Sequence, residues 1–252
     1  MNTILALAKN TFRETVRDKI LYTIVFFGIL LILSSKLMAG ISAGEEEKIT
    51  LDFGLGMIHI FGILITLFVG TQMIAREMEG NMILILLSKP ISRFQFLLGK
   101  FLGLSGILFL LTSIMGGIFF FLVPFSWDII WVFAGMYISF LLLLSLALFF
   151  SAFLSPLLAM FSSLLMWILG NITDEFYLFV VHAQGKISEV FYYVGWGSYH
   201  FLPNFSNLNF KNEATYGLEI SGLDIGIIFA VSILYIFFLI TMAVVMFRKK
   251  EF

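Results

Sequence analysis

The chain has 252 residues, of which 60% are hydrophobic and 12% charged, with a formal net charge of −1. The charged share is about half that of an ordinary globular domain. A soluble enzyme of this length has no way to hide so much apolar surface, and no basic arm offers itself to nucleic acid. The absence of cysteine excludes disulfides, thiolate metal sites and a cysteine nucleophile.

Residues 1–19 form the first element. Leu5, Ala8, Phe12 and Val16 fall on one helical stripe, and Lys9, Arg13 and Arg17 on a neighbouring one. That pattern predicts an amphipathic helix lying in a membrane interface. The apolar block 20–35 follows, with Lys36 able to snorkel to the surface. It lacks a small-x-small cleavage site and is long enough to cross, so a retained first helix is expected rather than a signal peptide.

A second block covers residues 53–75. The next 25 residues read REMEGNMILILLSKPISRFQFLLGK. Their apolar stretch, Met82 to Leu87, is too short to span, and Ser88-Lys89-Pro90 signals a turn. Ser92 with Gln95 three residues on is a capping-box pattern that starts the next helix. A short interfacial helix between two spans is therefore expected.

A third block covers residues 101–127. The fourth, 129–173, is too long for one span and is divided at Ser155-Pro156, where proline removes a backbone donor and disfavours helix in the residue before it. After Pro156 only about 15 apolar residues precede Asn171, which is short for a crossing. Beyond it, residues 175–182 and 187–196 are apolar and aromatic, separated by Gly185, and read as short helices that dip into one leaflet and return. Residues 197–219 read as an ordered loop. The last block, 225–247, ends at Arg248-Lys249-Lys250. The total is six spans.

Lys and Arg counts in the connecting segments set the orientation. With both termini inside, the inner side holds Lys9, Arg13, Arg17, Lys19, Arg76, Lys89, Arg93, Lys100, Arg248, Lys249 and Lys250. The outer side holds Lys36, Lys48, Lys186 and Lys211. Eleven against four predicts termini in the cytoplasm.

Several chemistries are missing. No Gly-x-x-x-x-Gly-Lys-Ser/Thr loop exists for nucleotide phosphates, and no His-Glu-x-x-His motif for zinc. His59, His182 and His200 are far apart in the chain. His59 sits in a span with no acidic partner in any other span. It reads first as a packing histidine bonded to a neighbour, and second as a proton or ligand group. A secondary carrier is disfavoured because the spans carry no carboxylate near mid-membrane. Gly99 and Gly103 make a Gly-x-x-x-Gly that suits close helix packing or is ordinary glycine usage. Asn171-Ile-Thr173 and Asn204-Phe-Ser206 match a glycosylation sequon, a weak signal.

The run Glu77-Met-Glu79-Gly80-Asn, then Leu86-Leu87-Ser88-Lys89-Pro90-Ile91-Ser92-Arg93, then Leu98-Gly99-Lys100-Phe101 resembles the signature loop of type 2 ABC exporter permeases. The opening Phe12-Arg13-Glu14-Thr15-Val16-Arg17-Asp18-Lys19 is similar to the interfacial N-terminal helix of that family, and Leu202-Pro203-Asn204-Phe205 resembles a stretch before its last span. Within the family the likeness is to permeases of copper-enzyme maturation and gliding-type systems.

The resemblance implies an all-α integral membrane fold. Six transmembrane helices would be joined by an N-terminal interfacial helix (1–19), a cytoplasmic coupling helix (76–93) and re-entrant outer helices before the last span (171–224), all in one transmembrane domain. It implies a non-catalytic half-transporter in the cytoplasmic membrane. Two copies would pair, two separate ATPase subunits would bind beneath, and ATP and Mg would reside in those partners. Glu77, Glu79, Gly80, Met82, Leu86, Leu87, Lys89 and Arg93 would meet the ATPase. Phe12, Arg13 and Arg17 would anchor the interfacial helix. Asp174, Glu175, Phe176 and Tyr177 would form an outer gate or a face for an extracytoplasmic partner. Two other functions stay open: a transducer that moves no solute, and an ion-coupled carrier.

Overall fold

A computed structural model of the chain describes residues 2–40, 44–79, 92–124, 126–183, 188–218 and 222–249; the side chains of 2, 20, 73–79, 248 and 249 lie outside the description. The described residues are helical with no strand. Among the described residues nine α-helices follow one another: α1 Asn2–Val16, α2 Lys19–Ala39, α3 Glu46–Glu79, α4 Arg93–Phe120, α5 Trp127–Ser151, α6 Pro156–His182, α7 Glu189–Phe201, α8 Lys211–Tyr216 and α9 Gly222–Lys249. Six of these, α2 to α6 and α9, are long and apolar enough to cross a membrane.

Each boundary has a local cause. At the start of α4, the Ser92 hydroxyl accepts from the Gln95 amide at 3.2 Å while the Gln95 side chain accepts from the Ser92 amide at 3.1 Å. This reciprocal box satisfies two of the helix's orphan donors. Helix α4 thus begins two turns before the apolar block read from the sequence. Ser126 caps α5, accepting from the Asp128 amide at 3.3 Å. The break before Pro156 is as expected: α5 ends at Ser151, Ser155 is extended at ψ 157°, and proline takes the first turn of α6.

The expected break at Asn171 does not occur. Helix α6 runs on through Asn171 and Asp174 to His182. The Asn171 amide donates to the Trp167 carbonyl at 2.8 Å, and the Thr173 hydroxyl to Leu169 at 2.7 Å, so both polar groups are satisfied by their own helix. The stretch 175–182 is the end of this helix. Helix α7 then doubles back on it, with Gly195 against Val180 and Tyr177 stacked on Tyr199 at 4.3 Å.

Helix α5 is the centre. Of its apolar stretch 67% is buried, against 22% for α2 and α6 and 28% for α9. It packs on α3, α4, α6 and α9. Phe140 of α5 lies flat against Gly62 of α3, where a methyl group would fall inside the ring. Hydroxyl groups inside the spans, such as Thr66, Thr71, Ser145, Ser163 and Ser232, each donate to a carbonyl of their own helix. No water is available in a bilayer core, so this internal satisfaction is what lets them sit there.

Candidate functional site

The candidate coupling segment joins α3 to α4. Glu77 and Glu79 lie on the last turn of α3, which continues without a break from the membrane-spanning stretch. Gly80, Met82, Leu86, Leu87 and Lys89 fall outside the described residues. Arg93 opens α4, and its guanidinium donates to the backbone carbonyl of Phe247 near the end of α9. A cation at a helix C-terminus meets carbonyls that have no partner within the helix. The same guanidinium stands 5.7 Å from the Phe247 ring centre, and Phe96 stacks on that ring at 6.1 Å. Lys100 is 2% exposed, with its ammonium 5.8 Å over Phe96. The segment therefore returns into a cation and aromatic layer that ties α4 to α9.

Helix α1 lies against α4 next to this layer. A Cβ at Gly99 would sit 2.7 Å from Leu7 Cβ, and one at Gly103 would sit 2.6 Å from both the Ala8 carbonyl oxygen and Thr11 Cβ. Glycine is what lets the backbones approach so closely. The Gly-x-x-x-Gly is thus a packing seam, and its partner is α1. Thr11 and Thr15 are buried on this face, while Leu5 is 59% exposed. Phe12 packs over Gly106, and Arg13 and Arg17 face away from the protein. The helix has three faces: one on α4, one apolar, one basic.

At the opposite end of the spans, the Asp174 carboxylate accepts from the Asn204 side-chain amide and from the Ser206 hydroxyl. One turn earlier, the Gly170 carbonyl accepts from the Phe205 amide at 3.1 Å, and Phe205 is fully buried. Asn204 in turn accepts from the Asn207 amide at 3.2 Å. These bonds pin the 202–208 connection to α6. Of the four residues expected to form a gate or partner face, Asp174 is engaged within the chain and Tyr177 stacks on Tyr199. Glu175 is exposed and Phe176 is partly buried. Spacing hid this: Asp174 and Asn204 are 30 residues apart. The Asn204 sequon is tied up by its bond to Asp174.

Between the two ends, His59 packs 5.8 Å from Phe140 and 6.0 Å from Trp167. These ring contacts match the packing half of the first reading. The expected hydrogen bond is absent at one nitrogen: Nε2 of His59 and Nε1 of Trp167 are both buried with no partner among the described residues. Above it, Lys211 of α8 pairs with Asp52 of α3 at 2.9 Å, fastening that short helix over the bundle. Among the described residues, no three His, Asp or Glu side chains gather as metal ligands.

Residues 5–173 match a family described as ABC-2 family transporter protein. The chain belongs to that family. The matched stretch takes in α1, the α3–α4 connection and all but the end of α6, so two of the three stretches that carry the resemblance lie within it, and Leu202-Pro203-Asn204-Phe205 lies outside. The chain is accordingly a multi-pass membrane permease component of an ABC transporter, and its family implies an ABC ATPase as partner. No curated protein matches the chain. The α6–α7 hairpin, α8 and α9 follow the matched stretch. This permease thus carries its Asp174 latch outside the part the family match covers.

Proposed function

We propose that this ABC-2 permease transmits ATP-driven motion from a separate ATPase through residues 76–93. The observation that carries the reading is the joint around Arg93. The segment leaves α3 with no change of helix and re-enters where Arg93, Phe96 and Phe247 hold α4 to α9. A push on the segment reaches three spanning helices at once. Glu77, Glu79 and Lys89 would supply charge to the ATPase groove, Met82, Leu86 and Leu87 the apolar contact, and Arg93 would pass the motion on to α9. Gly80 would set the bend.

In this reading the chain is a non-catalytic half of an exporter in the cytoplasmic membrane, with both termini inside. Two copies pair through the sparsely buried helices, and two ATPase subunits supply ATP and Mg. Helix α1 lies in the inner interface, with Phe12 anchoring it to α4, Leu5 toward lipid and Arg13 and Arg17 toward headgroups. The whole chain works as one transmembrane domain.

The test is co-purification with the cognate ATPase. The double change Gly80→Pro with Glu77→Arg is expected to abolish association and stimulated hydrolysis. Unchanged association and hydrolysis would overturn the coupling role.

A second reading, a transducer without solute flux, is favoured by α7, where Val190, Phe191, Tyr193 and Phe201 are 60% or more exposed. Such a surface suits a partner or lipid. ATP-dependent flux in liposomes separates exporter from transducer, and flux without ATP would indicate an ion-coupled carrier.

A further inference from the structure

A cavity lies at the latch end, where α7 and the 202–208 connection face α9. Its volume is about 290 Å³. Three rings line it: Tyr199 and His200 from α7, and Tyr235 from α9. These rings are braced from behind. Tyr177 stacks on Tyr199 and Trp196 on His200, each at 4.3 Å, and Tyr199 meets His200 edge-on at 5.2 Å. The Tyr235 hydroxyl donates to the His200 carbonyl at 3.3 Å, closing the wall between α7 and α9.

The chemistry of the wall selects a cation. No charged Lys, Arg, Asp or Glu side chain lines the cavity. Asn204, which does, donates its amide to the Asp174 carboxylate, and no described Lys or Arg forms an ion pair with that carboxylate. His200 Nδ1 is 2.8 Å from the Trp196 carbonyl, which can only accept, so Nδ1 carries hydrogen, and in the tautomer this bond selects Nε2 is an acceptor. Ring faces, an acceptor nitrogen and a carboxylate just behind all favour positive charge and oppose a phosphate or sulfate. The other side of the cavity is Ile227 and Val231 of α9, an apolar strip 63% and 47% exposed.

We propose that this cavity binds the ammonium headgroup of an amphiphile, with the alkyl chain lying along Ile227 and Val231. The ligand comes either from the surrounding bilayer as an amine-bearing lipid or from cargo of the same chemistry. Binding needs neither ATP nor the ATPase, so it stands or falls apart from the coupling role.

The experiment uses the purified full chain in nonionic nanodiscs, titrated with octyltrimethylammonium, octyl sulfate or octanol and followed by tryptophan fluorescence. The ammonium is expected to bind at least tenfold more tightly than the other two. Tyr199→Leu and Tyr235→Leu should each weaken it about fivefold, whereas Tyr235→Phe, which keeps the ring, should stay within twofold. Tyr235→Phe also shows that the fold tolerates a change at that position. Equal binding of ammonium and sulfate, or Leu variants that bind like the parent chain, would overturn the site. Competition by phosphatidylethanolamine doped into the discs assigns a lipid source, and its failure while octyltrimethylammonium still binds assigns cargo.

Discussion

Gly103 of α4 lies directly beneath Thr11 of α1, so close that a Cβ added at Gly103 would stand 2.6 Å from Thr11 Cβ. The Ala8 carbonyl oxygen is equally near, and backbone yields less than a side chain. Gly103→Ala is therefore expected to cost about 1–3 kcal/mol through overpacking. Gly117→Ala, which faces open space, should cost under about 0.5 kcal/mol. Denaturant titration in micelles measures both, and similar losses at the two positions would refute the seam.

Arg93→Lys keeps the charge but loses the planar fork that reaches the Phe247 carbonyl and covers its ring. The two side chains are not interchangeable at such a place. A loss of about 1–2 kcal/mol is expected. If the joint transmits motion, ATPase stimulation should fall further than ATPase binding. A matched fall in both would place Arg93 in the docking contact instead.

Asp174→Ala leaves the Asn204 amide without its acceptor and the Ser206 hydroxyl with only the Asn204 side-chain oxygen. The expected cost is about 1–3 kcal/mol. Protease sensitivity of the 202–208 connection should rise, since its anchor to α6 is cut to the Gly170 carbonyl. Asp174→Asn retains one acceptor and should be milder. No change in cleavage rate for either variant would contradict the latch.

The chain has no native cysteine, so a single introduced thiol is its only label site. Glu47→Cys and Glu189→Cys should react with an impermeant maleimide in intact cells, and Arg17→Cys only after lysis. All three parent residues are exposed. The reverse pattern would invert the orientation.

The six spans were legible because apolar length is a direct consequence of bilayer thickness. Pro156 and the Ser92–Gln95 box were legible because each acts within four residues. Asn171 misled because a polar residue resembles an end, whereas its amide bonds back to Trp167 inside the helix. Asp174 and Arg93 were readable as charges but not as partners of Asn204 and Phe247, because contacts across 30 and 154 residues leave no local pattern. The glycines at 99 and 103 signalled close packing without saying against what; the fold supplies α1.

Helix α3 holds 34 residues and no proline, so it is a rod of about 51 Å free of the commonest cause of a kink. One end is fastened near Asp52 to Lys211, and the other leads into the candidate coupling segment. Geometry then sets a gearing ratio. A tilt of about ten degrees around Asp52, about 41 Å from the far end of the helix, sweeps that end by roughly 7 Å, more than one helical turn. A small angular change at one membrane face thus becomes a stroke of molecular size at the other.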